Sequence, residues 1–464
     1  MFIGRKSELE NLNKYYAKND FQFSIIYGRR RVGKTTLINQ FCKDKKTVYF
    51  VSVESTLKEN LEILSNQILS VLAPEAPRNP FLSFREAVDY IFERAKIEHF
   101  IFVIDEYPYL AESDKSVSSI LQAAIDKNKD NSRLFLILCG SSMSFMENQV
   151  LGYKSPLYGR RSCQFKILPF DYSECADMLD GYTNEEKIIL YGIFGGVPEY
   201  ISRIDNSLTV RENAEELLFN PSGRLFEEPF NLLKQELKMP QTYNGIITAV
   251  AAGSSKLNEI ATKTGIETSQ CSNMLNTLTS LGLVRKEYPV TEENSKKTLY
   301  ALDDYMFKFW YRFVLPNISR ITAGLGKTAC SEIFDSQQLN QYTGYTFEHC
   351  CKQYVWRNAL SFPFSFQKLG RWWGSNKKEK REEEIDFIAC SSDSAIFAEC
   401  KWTNEPLNHS VIEELTRKSE LFPQFNYKYY LLFSKSGFDK KIIIQSEKDN
   451  NIILVQLDNM FKHT

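Results

Sequence analysis

Gly28-Arg29-Arg30-Arg31-Val32-Gly33-Lys34-Thr35-Thr36 decides how the first third of this 464-residue chain is read. The stretch fits Gly-x-x-x-x-Gly-Lys-Ser/Thr, a loop that wraps phosphate. Glycines at both ends let the backbone turn its N–H groups inward around an anion. Lys34 can reach the β- and γ-phosphates of a bound ATP, and the Thr35 hydroxyl can ligate Mg²⁺. The flanks agree. Phe23-Ser24-Ile25-Ile26-Tyr27 reads as a buried strand, and Thr36-Leu37-Ile38-Asn39-Gln40-Phe41 reads as the start of a helix whose N-terminus would meet the phosphates.

Further along, Ile101-Phe102-Val103-Ile104-Asp105-Glu106 is an apolar run ending in two acids. A parallel strand buried on both faces is continuously apolar, and its C-terminal end faces the ligand crevice. Asp105 is expected to hold Mg²⁺ through water, and Glu106 to polarise the water that attacks the γ-phosphate. A second apolar run, Leu134 to Cys139, ends in Gly140-Ser141-Ser142. Either serine could sense the γ-phosphate, although small polar residues also simply make good turns. Tyr158-Gly159-Arg160-Arg161 offers a guanidinium that could neutralise transition-state charge. The alternative for Arg160 is an ordinary surface ion pair.

Composition sets the limits. Length alone suggests about three domains. Lys and Arg total 57 against 58 Asp and Glu, a formal charge of −1, so any nucleic-acid contact must come from local patches. Ten Cys are scattered without a Cys-x-x-Cys pair, and His99, His349, His409 and His463 form no ligand cluster with them, which argues against zinc. No signal-peptide core and no bilayer-length apolar run is present, so the expected location is the cytoplasm, with no membrane partner.

Residues 1–170 alternate short apolar strands (23–27, 47–53, 100–104, 134–139, 164–168) with amphipathic helices, an α/β pattern. Pro74, Pro77 and Pro80 interrupt it. Residues 171–240 read as helical, around the abrupt turn Gly195-Gly196-Val197-Pro198. Residues 241–325 contain a winged helix: Leu257–Ala261 begins one helix, Thr264-Gly265-Ile266 makes the turn, Ser269–Leu281 forms the next, and a hairpin follows. Its candidate DNA contacts are Ser269, Gln270, Ser272, Asn273 and Thr277, with Lys296 and Lys297 on the wing. The second helix carries no Arg or Lys, so phosphate affinity should be weak, and a protein-contact role is the alternative. The aromatic run Tyr305–Tyr311 reads as a buried connector. Residues 335–464 read as a second α/β domain, with strands near 364–369, 384–390, 394–400, 427–433 and 451–456.

In that domain Glu384-Ile385-Asp386 precedes Glu399-Cys400-Lys401 across a hairpin. Two close carboxylates can hold Mg²⁺, and a neighbouring lysine can stabilise charge on phosphate. Strand alternation puts Glu399 and Lys401 on one face. A surface salt bridge would leave the same trace. Trp372-Trp373 could stack on bases, but a tryptophan pair also suits a core.

Two resemblances emerge. Phe2-Ile3-Gly4-Arg5, the phosphate loop, Val103-Ile104-Asp105-Glu106, Leu157-Tyr158-Gly159-Arg160 and Gly195-Gly196-Val197-Pro198 resemble the archaeal-type ATPases of the STAND branch of AAA+ proteins, over residues 1–240. That resemblance implies that Arg5 lies near adenine, that Pro198 contacts nucleotide from a helical lid (171–240), and that ATP works a conformational switch. The stretch 335–460 resembles the domain commonly fused to such ATPases, itself similar to PD-(D/E)xK nucleases. The carriers are Gly344–Glu348, Trp372-Trp373-Gly374, Glu384-Ile385-Asp386 and Glu399-Cys400-Lys401-Trp402. Ile385 stands where the motif has proline. This second resemblance implies a restriction-endonuclease-like α/β fold in which Glu348 joins Asp386 and Glu399 at a metal. A nucleic acid, chiefly DNA, is then the expected partner besides ATP, and a homo-oligomer is compatible with the sequence.

Overall fold

The computed structural model describes residues 2–75, 79–292, 297–376 and 379–462. Pro77 and Lys296 therefore lie outside the described residues, as does His463. The chain divides into two compact units, Met1–Pro169 and Phe170–Thr464.

The first unit is built on five parallel strands: β1 (Gln22–Tyr27), β2 (Thr47–Val51), β3 (Phe100–Asp105), β4 (Leu134–Gly140) and β5 (Cys163–Lys166). Their order is β2-β3-β4-β1-β5. Every residue of β1, β3 and β4 is buried, as central strands covered by helices on both faces require. The helices Lys6–Tyr16 and Lys34–Cys42 pack on one face, where Leu12, Leu37, Ile38 and Phe41 meet Ile26, Ile101, Val103 and Phe135. Each such side chain is worth roughly 1.5–3 kcal/mol of burial. Because β4 lies between β3 and β1, the chain segments leaving all three open side by side at one edge. β2 ends at Val51 rather than running to residue 53; the Ser52 N–H, donated to the Asp105 carbonyl at 2.9 Å, is the last bond of its ladder with β3.

The second unit begins with capped helices. Asp171, Thr183 and Thr209 each form a reciprocal box with a glutamate three residues on. At the turn after Asn184–Phe194, Gly195 has φ 68°, and a Cβ on Gly196 would sit 1.9 Å from the Phe170 carbonyl oxygen. The winged helix comprises Pro240–Ala251, Leu257–Thr264, Thr268–Ser280 and the hairpin β6 (Val284–Glu287) with β7 (Leu299–Leu302). Gly265, at φ 69°, makes its helix turn. The connector Tyr305–Phe309 is buried, and Trp310 donates its indole N–H to the Phe226 carbonyl at 2.7 Å.

A five-stranded mixed sheet follows: β8 (Lys368–Asn376), β9 (Arg381–Cys390), β10 (Ser394–Lys401), β11 (Tyr427–Ser434) and β12 (Ile452–Gln456). The order is β12-β11-β10-β9-β8, antiparallel from β8 to β10 and parallel from β10 to β12. The helices Ser410–Ser419 and Lys440–Lys448 make the parallel crossovers. The strand expected at 364–369 is displaced to Lys368–Asn376. Phe364 and Phe366 mimic strand alternation from a loop, where they meet Tyr429 and Trp356. Trp372 is consequently a core residue, edge-on to Phe422, and not a free base-stacking platform.

The wing is not free either. Between Gly370 and Trp372 the register of β8 shifts, and the Arg371 carbonyl accepts the Val290 N–H at 3.0 Å. Val290 enters the core beside Trp372 and Ile385, and Gly370 has no Cβ to obstruct it. The segment after β6 is thus docked on the C-terminal sheet at Val290. Lys297 is engaged by Glu292 at 2.8 Å.

Candidate functional site

The loop after β1 adopts a tight wrap. Gly33 at φ 89° and Arg31 at φ 71° take left-handed conformations. Gly28 passes so close to β5 that a Cβ would lie 2.3 Å from the Ile167 carbonyl oxygen. Val32 is fully buried, and its carbonyl accepts Arg5 Nη2 at 3.1 Å, while the same Nη2 donates to the Leu168 carbonyl. Arg5 therefore braces the loop from the N-terminal segment. Arg30 donates to the Tyr109 hydroxyl at 2.8 Å, and Arg29 is buried. Lys34 folds over the loop and donates to the Gly28 and Arg29 carbonyls, both at 2.9 Å. Thr36 is exposed in the first turn of the helix Lys34–Cys42, one residue past Thr35.

Asp105 is nearly fully buried at the end of β3, and both its carboxylate oxygens are bonded. Its Oδ2 accepts the Thr35 hydroxyl at 3.0 Å and the Tyr49 hydroxyl at 2.8 Å, and its Oδ1 accepts the Glu106 N–H at 2.9 Å. Burial, then the Asp105 charge, pushes the Tyr49 phenol far above its ordinary value, so it stays a donor. Glu106 sits at φ 51°, a strained conformation for a side chain of its size. Its Oε2 accepts both the Ser141 hydroxyl at 2.9 Å and the Ser141 N–H at 3.3 Å. The structure thus brings Lys34, Thr35, Asp105, Glu106 and Ser141 to adjoining strand ends. Thr35 and Asp105 present hard oxygen donors at hydrogen-bond distance from each other, the donor set Mg²⁺ prefers.

Arg160, an expected member, is bonded elsewhere. Arg160 is held bidentately by Asp126, at 2.8 and 2.7 Å, and by the Pro156 and Tyr158 carbonyls. The surface ion pair is what the structure contains. Pro198 belongs to the second unit, where it opens the short helix Pro198–Ile201.

In the C-terminal sheet the β9–β10 ladder ends at the Phe387–Ala398 pair. One residue further the strands part, and the Asp386 carboxylate takes the Cys400 N–H at 2.7 Å. Burial first, then the Glu399 and Glu348 charges, pushes the Asp386 carboxyl up to about 8. Lys401 donates to Glu399, as same-face alternation on β10 requires. Burial opposes its charge, but Glu399 and then Asp386 outweigh that and hold the ammonium above its ordinary value. Glu348, on the long helix Gln337–Arg357, is paired with Lys352 one turn on, at 2.6 Å. Asp386, Glu399, Lys401 and Glu348 therefore share one electrostatic neighbourhood. Among the described residues, however, no set of three His, Cys, Asp or Glu groups is arranged around a single ion position. Both glutamates are in ion pairs with lysines instead.

Sequence reasoning missed Tyr49 and Lys352. The Glu348-to-Lys352 spacing is a readable helix pair. Nothing in Thr47-Val48-Tyr49-Phe50-Val51 distinguishes a hydrogen-bonding tyrosine from a packing one.

A loop of this kind, a buried strand acid and a neighbouring glutamate on a parallel sheet define a Walker-type P-loop ATPase. Residues 2–204 match a family described as an ATPase domain predominantly from Archaea. Residues 310–416 match one described as Archaea bacterial proteins of unknown function, and residues 245–287 match the IclR helix-turn-helix domain. An uncharacterized protein of Methanocaldococcus jannaschii is 31% identical over 472 residues, covering 99% of this chain and 100% of that one. The chain belongs to the family of that protein, and it carries the archaeal ATPase domain, a helix-turn-helix region and the C-terminal domain of unknown function. An uncharacterized ATP-binding protein of Pyrococcus abyssi is 23% identical over 268 residues, 51% of this chain and 80% of its own length. Among solved structures, a Walker-type ATPase of Pyrococcus abyssi shares the fold with a TM-score of 0.51 and 18% identity, over 67% of this chain and 96% of that one. Among the described residues no helix is long and apolar enough to cross a membrane.

Proposed function

We propose that this chain is a STAND-type ATPase whose nucleotide state controls a C-terminal, metal-dependent, nuclease-like domain of restriction-endonuclease-like fold acting on DNA or another nucleic acid. In the first unit, residues 28–36 cradle the phosphates, with Arg5 bracing the loop. Lys34 exchanges the Gly28 and Arg29 carbonyls for phosphate oxygens and gains a full opposite charge in doing so. Thr35, and Asp105 through water, would hold Mg²⁺, which would supply positive charge at the phosphates. Glu106 takes the proton of the attacking water once Ser141 releases its Oε2. Arg160 would serve as a transition-state cation only after leaving Asp126.

The observation that carries the nuclease reading is the Asp386 carboxylate, held on the Cys400 N–H in the same neighbourhood as Glu399, Lys401 and Glu348. Asp386 and Glu399, with Glu348, are the groups that would hold the metal, and Lys401 would face the scissile phosphate. The pairs Lys401–Glu399 and Lys352–Glu348 must first open.

Those same closed pairs favour a second reading, a nucleotide-dependent switch whose C-terminal domain binds a partner without cutting it. The helix Thr268–Ser280, which lacks any Lys or Arg, favours it too. The full-length chain incubated with single- and double-stranded DNA and RNA, in Mg²⁺ or Mn²⁺, with and without ATP, decides between them. Cleavage that Asp386→Ala removes supports the nuclease. Intact nucleic acid under every condition leaves the binding switch.

A further inference from the structure

Asp105 is held from two sides, and only one of them belongs to the phosphate loop. Thr35 reaches its Oδ2 at 3.0 Å across the loop. Tyr49 reaches the same oxygen at 2.8 Å from β2, the strand paired with β3 on the side away from β4. The pairing places them: Tyr49 is the register partner of Val103, and its side chain rises toward the strand end where Asp105 stands. We infer that Tyr49 is a positioning residue for magnesium, fixing the rotamer of Asp105 so that its carboxylate faces the metal's water shell when Mg·ATP is bound.

The hydrogen-bond inventory supports this. The Glu106 N–H occupies Oδ1. When the Thr35 oxygen turns to the metal, the grip of its hydroxyl on Oδ2 depends on the geometry the metal imposes. Tyr49 stands on β2 rather than on the loop, so its donor to Oδ2 does not depend on the loop's conformation. The phenol donates to the Asp105 carboxylate, and its proposed action is through that group. Outer partners of this kind commonly change metal affinity by about 10–100-fold when removed. The effect expected here is at the lower end, because Asp105 itself acts through water.

The inference rests on Asp105 being the magnesium-side carboxylate. The test uses the full-length chain and a fluorescent ATP analogue, titrated once in EDTA and once with increasing MgCl₂. Tyr49→Phe keeps the ring and loses the hydroxyl. It should bind metal-free nucleotide as the parent does, and should need about tenfold more Mg²⁺ to reach the tight form. Asp105→Asn should lose the magnesium response, and Tyr49→Phe should add nothing further in the Asp105→Asn background. An unchanged magnesium requirement, or equal weakening in EDTA and in Mg²⁺, would overturn the role of Tyr49. So would an independent, additive loss in the double variant. If Asp105→Asn alone retains the full magnesium response, it is the assignment of Asp105 that fails.

Discussion

At the residue scale the phosphate loop makes the strongest demand. Lys34 is the one loop side chain whose ammonium lies on the Gly28 and Arg29 carbonyls. Lys34→Ala should abolish tight ATP binding while the fold persists, and fluorescence titration with an ATP analogue checks this; undiminished affinity in a folded variant would defeat the assignment. Glu106 separates chemistry from binding. Glu106→Gln keeps the length of the side chain and its bond with Ser141, but removes the base. Nucleotide should still bind, and turnover measured by phosphate release should fall by about 100-fold or more, the scale of a lost general base. An unchanged rate would move the water-orienting role to another group.

At the element scale, what could be read from the sequence follows a physical line. β1, β3 and β4 are buried on both faces, and their continuous apolar runs ended within a residue or two of where the strands end. Asp105 and Glu106 were legible for the same reason, as charges terminating such a run. β8 was not. Pro363-Phe364-Ser365-Phe366 alternates like a strand while lying in a loop, and the true strand contains a register shift that no periodicity reports. The docking of the wing was also hidden, because the partner of Val290 lies about eighty residues away on a bulge. That contact has a measurable weight. Val290→Ala removes two buried methyl groups from a core shared with Trp372, Ile385 and Phe422. A loss of about 2 kcal/mol is expected. Urea unfolding followed by tryptophan fluorescence should show the second unit's transition moving to lower denaturant. A wing that merely rests on the sheet would leave the transition in place.

At the scale of the whole molecule, the formal charge of −1 and the cation-free helix Thr268–Ser280 leave the chain without a general attraction for nucleic acid. Any cleavage must be licensed locally, and Lys401 and Lys352 presently neutralise the glutamates that would do it. Under the proposed function a switch would follow: the closed pairs would be one state, and nucleotide in the first unit would select the other. Coupling free energies between such sites run to about 1–3 kcal/mol, so ATP should change the cleavage rate by about tenfold or more. The variants separate binding from turnover as the trigger. Glu106→Gln should show the full response to ATP without consuming it, because occupancy alone shifts the population. Lys34→Ala should show none at any ATP concentration, while keeping its nucleotide-independent rate in Mn²⁺. Asp386→Ala should be inactive in every nucleotide state yet hydrolyse ATP normally. A gel assay on labelled DNA, run beside phosphate release, reads all three. Cleavage that persists in Asp386→Ala would place the chemistry elsewhere, and cleavage indifferent to ATP in the parent chain would dissolve the proposed control while leaving the nuclease itself standing.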